Sequence, residues 1–499
     1  MRRRQKMKGK FEVLSAAEIK QIDAASMAVL AETGLKVELK KALQLFKEAG
    51  CQVDESEKKV LIPKKLVRWA VEQAPSSFTL YGNDPDFKLE IGGDHLNFAG
   101  LGTPTAILDT ESGAYRPSTL DDLVRHIKLI NACQYINSTQ MDVWPNDVPM
   151  TTIHAEAIWA WAYHSRKPFG MGCYGYLPTL DMMKMMAIAV GGKEELRRRP
   201  RFFSICSVVS PLQMSKEQLE GLLICADYGQ PLAMSPEAIA GATAPVTLAG
   251  LLVQENAAIL AHITLAQIFR PRTPVLYGTV STIANMKLGT VALGAVETGL
   301  ISAASAQLAR HYGLPIRSVG GVTEAKVEDI QAGLERCGTL MQAALAGVNY
   351  ITCAGTLDST MLESEPLLLL DDEWCGAVAR IREGITVNND TLALDLIKEK
   401  GFSGHYLAEE HTVSHFKREH YMPSLLVREP HATWVKEGSK NVMEKAKERV
   451  REILENHQPV NIDPQIEKAL DAYRKKVAAR ELEQFYLAEQ EENQDFDNL

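Results

Sequence analysis

Five times along this chain a proline stands between a helix-like stretch and a short apolar run rich in β-formers. The junctions are Lys167-Pro168 before FGMGCYG, Arg199-Pro200 before RFFSICSVVS, Gln230-Pro231 before LAMS, Thr273-Pro274 before VLYGTVS and Leu314-Pro315 before IRSVGG. Proline cannot continue a helix, and Gly229 and Gly313, just ahead of two of these junctions, suit a left-handed helix end. A recurrence every 30–45 residues or so is the period of βα units. Residues 348–353 read as one more strand without the proline, and 136–141 as the strand before the series. Between the strands lie amphipathic segments at 216–228, 248–269, 288–311, 329–346 and 365–382, several rich in Ala and Gly. Seven strands, each with a following helix, predict an α/β fold, a closed (β/α)8 barrel rather than an open doubly wound sheet. Ser424-Leu425-Leu426-Val427 is the candidate for the eighth strand.

The flanks differ from this repeat. Residues 1–115 read as an N-terminal extension, with helices at 15–32 and 39–49 and then short strands with hairpin signals at Gly82-Asn83-Asp84 and Gly92-Gly93-Asp94. The barrel is expected over 116–435, and 436–499 as a charged helical extension with an acidic, solvated or inter-subunit tail. The 499 residues carry a net charge of -9, which argues against nucleic acid as a partner. The basic start, Arg2 to Lys10, has no apolar run after it and reads as a frayed terminus rather than a secretory signal. No run approaches the roughly 18 apolar residues of a membrane helix, so a cytoplasmic enzyme is expected. Eight cysteines without a CxxC pair make neither a disulfide framework nor a thiolate zinc site.

Two motifs are ambiguous. Gly170-Met171-Gly172-Cys173-Tyr174-Gly175 matches GxGxxG, but its first glycine falls inside the strand and Pro178 interrupts the expected helix start, so a turn at the barrel mouth is the better reading. His405, His411, His415 and His420 cluster with Glu409 and Glu410. The i, i+4 pair His411 and His415 suits a metal, but HExxH is absent, and packing or interface histidines are expected with no metal bound.

Catalytic groups of such barrels sit at the C-terminal ends of strands. Those ends carry Asp142 and Trp144, Tyr174 and Tyr176, Ser207 and Ser210, Ser235 and Glu237, Tyr277 and Thr279, Arg317 and Gly320, and Thr356 and Asp358. A quaternary ammonium has no N–H to donate, so only ring faces and charge can hold it. Trp144, Tyr174 and Tyr277 are the candidate rings, Arg317 the candidate carboxylate clamp, and Glu324 and Asp358 the candidate catalytic acids for positioning. Against this stands the reading that the aromatics simply fill barrel layers.

The runs SPEAIAGATAPVTLAG from Ser235, GGVTEAK from Gly320 and HYLAEEHTVSHF from His405 resemble the trimethylamine methyltransferase family, and the likeness spans about residues 12–455. The resemblance implies a barrel enzyme that positions a methylated amine over the cobalt of a separate corrinoid protein, binds no cofactor tightly itself and assembles as a homo-oligomer. It implies a pyrrolysine near the end of the seventh of the strands read above, between Cys353 and Ser359; only standard residues stand there. That departure turns the expectation from trimethylamine to quaternary amines, because a quaternary nitrogen leaves as a neutral amine without prior activation. Glycine betaine leads, with proline betaine and carnitine beside it. Two readings from other classes remain: a non-catalytic quaternary-amine binder, and a nicotinamide enzyme built on Gly170 to Gly175.

Overall fold

Each of the five prolines ends up at the foot of a barrel strand, where its missing N–H costs no ladder bond; four of their carbonyls start the ladder, and that of Pro200 accepts from Tyr81 instead, at 2.8 Å. The carbonyls of Pro168, Pro231, Pro274 and Pro315 accept from Thr139, Ser204, Leu232 and Tyr277 of adjacent strands, at 2.9–3.2 Å. The computed structural model describes residues 9–100, 102, 104–141, 143–402, 404–496 and 498–499. The basic start through Lys8 and the expected mouth residue Asp142 lie outside them.

Eight parallel strands close into one barrel. They are β1 (Asn97–Gly100), β2 (Ile136–Gln140), β3 (Phe169–Gly172), β4 (Phe202–Val208), β5 (Leu232–Pro236), β6 (Val275–Thr279), β7 (Ile316–Val319) and β8 (Tyr350–Ala354). The helices that follow them in turn are α1 (Leu120–Ala132), α2 (Ile153–His164), α3 (Tyr176–Val190), α4 (Lys216–Asp227), α5 (Leu248–Phe269), α6 (Val296–Tyr312), α7 (Ile330–Ala346) and α8 (Glu365–Glu383). Gly313 and Gly347 end α6 and α7 in the left-handed conformation, at φ +70° and +89°.

The missing strand is the first, not the last. β1 pairs with both β8 and β2, whereas residues 424–427 form a bend whose Ser424 donates to Glu373 on α8. β1 lies inside the segment expected to precede the barrel, so the barrel starts at residue 97 and the boundary at 115 falls in its first loop. Four residues reading Asn-Phe-Ala-Gly carry too little β signal to be recognised alone. Of the two hairpin signals the first holds, joining strands Ser77–Tyr81 and Lys88–Gly92. Their Leu80, Leu89 and Ile91 plug the N-terminal end of the barrel against Ala99, Phe203, Ala233, Leu276 and Tyr350. Gly92-Gly93-Asp94 instead leads into β1.

The helix expected over 288–311 begins only at Val296. Residues before it form a hairpin, Thr282–Asn285 with Thr290–Ala292, turning at Gly289 with φ +71°. α5 has the length and mean hydropathy, 1.4 over 18 residues, of a membrane-crossing helix, but most of that window is buried. The N-terminal helices Ala16–Ala28 and Lys64–Gln73 cover its outer side, which accounts for a helix apolar all round. The C-terminal helices Val442–Asn456 and Pro464–Ala478 lie against α1 and α8 and against α2 and α3.

Candidate active site at the barrel mouth

The alternation of the strands decides which side chains meet inside. On β7, Ile316 points outward into the helix layer, so Arg317 points into the barrel, where it is 2% exposed. Its ladder partner on β6 is Gly278, and a Cβ at that position would collide with the Ser235 hydroxyl of β5. Ser235, Gly278 and Arg317 thus form one polar layer across three adjacent strands. Arg317 Nε and Nη1 and Ser235 Oγ have no hydrogen-bond partner among the described residues. Burial pulls the guanidinium down to about 10, with Tyr350 and Glu237 pulling the other way. A buried guanidinium with open N–H groups is a costly arrangement for folding alone, and it presents the fork that a carboxylate fits.

Glu237 follows two residues beyond Ser235. Water reaches it, yet the surrounding protein raises its carboxyl, opposed by Arg317. A group both wetted and ringed by protein stands in a concavity. Tyr174 has the same character: half-buried by surface, with its hydroxyl pushed up to about 12 by the protein around it. Its ring folds back over Gly172, the last residue of β3, where a Cβ would stand 2.8 Å from the ring. Trp144 meets it edge to face, with centroids 5.6 Å apart and planes at 73°. The Trp144 backbone is held by Pro104 O at 2.8 Å and by the Ser118 hydroxyl at 2.6 Å. β3 and β7 are opposite in the ring of strands, so the aromatic pair and Arg317 come from opposite sides of the barrel.

Three expected site residues stand elsewhere. Tyr277 has the outward parity on β6; it is fully buried, its hydroxyl donates to Asn256 of α5 at 3.1 Å, and its ring stacks on Tyr312. It is a core residue between barrel and helices. Glu324 ties three mouth loops together, accepting from Gly294 N at 3.1 Å and the Ser359 hydroxyl at 2.5 Å. Asp358 pairs with the exposed Lys326 at 2.5 Å on the loop after β8. Neither acid forms a hydrogen bond or ion pair with Arg317, Tyr174 or Trp144. Residues 353–359, expected at a seventh strand, close β8 instead, because β1 shifts the count.

Both ambiguous motifs resolve structurally. α3 starts at Tyr176 directly after Gly175, with Pro178 inside its first turn. The helix start is therefore not interrupted, as the sequence suggested, but its amides are taken: Tyr176 N and Leu177 N both donate to Glu489. A dinucleotide phosphate would need those donors. In the histidine cluster, His411 and His415 stack at 4.2 Å, while His415 Nε2 meets Asp390. Tyr176, read as a mouth residue, turns toward Phe496. Glu237 was visible at a strand end but not singled out; its parity with Ser235 was the available signal.

The sequence matches the trimethylamine methyltransferase (MTTB) family over residues 2–480. It is 34% identical over 467 residues to the glycine betaine methyltransferase of Desulfitobacterium hafniense, covering 93% of this chain and 96% of that protein. It is 35% identical over 475 residues to trimethylamine methyltransferase MttB of Methanosarcina barkeri, covering 93% and 94%. Among solved structures, the monomethylamine methyltransferase (MtmB) of Methanosarcina barkeri aligns with a TM-score of 0.49 at 11% identity over 94% of this chain and 95% of that one.

Proposed function

The chain belongs to the trimethylamine methyltransferase family, and on that premise we propose that it demethylates a quaternary amine bearing a carboxylate, glycine betaine first, with the cobalt of a separate corrinoid protein as methyl acceptor. The observation that carries this reading is the buried Arg317, its Nε and Nη1 open in the same barrel layer as the unpartnered Ser235 hydroxyl. A methylamine without a carboxylate offers that fork nothing. A zwitterion about the length of glycine betaine places its carboxylate on Arg317 and Ser235 and its trimethylammonium toward Trp144, Tyr174 and Glu237.

The work left to the protein is positional. The rings and Glu237 replace water around the ammonium, and the Arg317 clamp fixes the other end, so one N-methyl points out of the mouth. The acceptor supplies the electron pair of the new bond to the methyl carbon; the N–C bond breaks, and its electrons stay on nitrogen, which leaves as the uncharged amine of the dimethylglycinate anion. No proton moves, so no general acid is required. A neutral tertiary amine would have to depart as an amide anion, and the chain carries only standard residues between Cys353 and Ser359 to help it.

Purified protein mixed with cob(I)alamin and a panel of methylamines tests the proposal spectroscopically. Methylation with glycine betaine and none with trimethylamine is expected. Equal rates on both overturn the substrate class, and tight betaine binding without turnover would make the protein a binder.

A further inference from the structure

Helix α3 starts without a side-chain cap of its own. Gly175 occupies the N-cap position at φ +85° and has no side chain to offer its orphan amides. The cap comes from Glu489, whose Oε1 accepts from Leu177 N at 2.7 Å and Oε2 from Tyr176 N at 3.3 Å. Its carboxylate fills the place where a Cβ of residue 175 would stand, so the glycine and the distant acid form one unit. A carboxylate at a helix N-terminus also meets the favourable end of the helix dipole.

Glu489 lies on the helix Leu482–Gln490, and the family match stops at residue 480. The chain around and beyond it is fastened to the same face of the barrel. Lys216 of α4 donates to the carbonyls of Glu489 and Glu491. The Tyr176 hydroxyl donates to Asp495 O at 3.2 Å, and Phe496, 1% exposed, meets the Tyr176 ring at 5.4 Å. This tail, expected to be a solvated or inter-subunit surface, is seated on the barrel through Phe496. The loop it clamps carries Tyr174, whose amide donates to Thr179 Oγ1 in the first turn of α3, at 3.3 Å. Whatever fixes that turn fixes the ring lying over Gly172.

We propose that residues 482–496 act as a strap on the loop between β3 and α3, and that Glu489 is a positioning residue holding Tyr174 at the barrel mouth. The functional half of this inference rests on the assignment of Tyr174 to the substrate ammonium; the strap itself does not.

The test uses the full chain with Glu489→Ala, Glu489→Gln and, at the far end of the strap, Phe496→Ala. Amide hydrogen exchange of residues 173–178 and glycine betaine titration are read together. Glu489→Ala is expected to speed exchange at Tyr176 and Leu177 and to weaken betaine binding about tenfold, the factor a lost cap of about 1.4 kcal/mol gives. Glu489→Gln keeps an acceptor oxygen and should recover most of both, while Phe496→Ala should shift both in the direction of Glu489→Ala. Unchanged exchange in Glu489→Ala overturns the strap whatever betaine does. Faster exchange with unaltered betaine binding overturns the positioning role if Tyr174→Leu still weakens betaine. If Tyr174→Leu is also without effect, faster exchange upholds the strap, and it is the ammonium assignment that has failed.

Discussion

Gly278 lies beside Arg317 in the barrel ladder, and the Ser235 hydroxyl fills the space that a Cβ at residue 278 would need. The absence of one methyl group thus lets a hydroxyl and a guanidinium share a layer inside the barrel. Gly278→Ala also brings its Cβ to 2.6 Å from Met234 O, which is backbone and cannot rotate away. Overpacking of this kind costs about 1–3 kcal/mol. Thermal unfolding should register that loss and calorimetry a weakened betaine. A variant matching the parent in both would remove this layer from the site.

Arg317→Lys keeps a positive charge but loses the planar fork. A charge-assisted hydrogen bond is worth about 1.5–3 kcal/mol, so glycine betaine should bind roughly 10- to 150-fold more weakly. Choline and tetramethylammonium, which lack the carboxylate, should change by less than about threefold on the same argument. Equal losses for all three ligands would show that Arg317 does not read the carboxylate.

Truncating the two mouth aromatics separates binding from packing. Trp144→Leu and Tyr174→Leu each remove a desolvated ring face worth about 2 kcal/mol, or roughly thirtyfold in betaine affinity. Tyr277→Leu removes a core ring and leaves Asn256 Oδ1 without its donor, so it should lower the melting temperature and leave affinity nearly intact. The reverse pattern in a titration and melting series would return Tyr277 to the mouth.

Glu255 on α5 sets a pH dependence of stability. It is 1% exposed; Ser305 Oγ and Thr279 Oγ1 donate to it at 2.9 and 3.1 Å, and burial outweighs them, pushing the carboxyl up to about 7. Because the folded value lies above the unfolded one, its stabilising contribution is complete below about 4.5 and is lost as pH rises through about 7. The corresponding free energy is on the order of 3 kcal/mol. Urea unfolding at pH 5.5 and 8.5 should show the parent weakening at the higher pH and Glu255→Gln weakening less, with Glu220, also raised to about 7, supplying a remaining slope. Identical slopes in the two proteins would refute the assignment.

The βα repeat was legible in residue order, because proline and glycine act locally: Pro168, Pro200, Pro231, Pro274 and Pro315 mark strand starts. The whole-length family likeness was equally legible, since it is a property of residue order. Arg317 could be named from its place at a strand end. The rest followed from closure of the barrel and packing on it. β1 is four residues of weak β character, and it becomes a strand only because β8 and β2 leave it the one open edge to complete. Tyr277 sits in Val-Leu-Tyr-Gly-Thr, a run buried on both faces, so its sequence has no polar alternation to say which side faces the barrel. Closure of the ring set that parity, turning Tyr277 to Asn256 and Arg317 to the interior. The grip of Glu489 on α3 joins residues 312 apart, a pairing that no local pattern encodes.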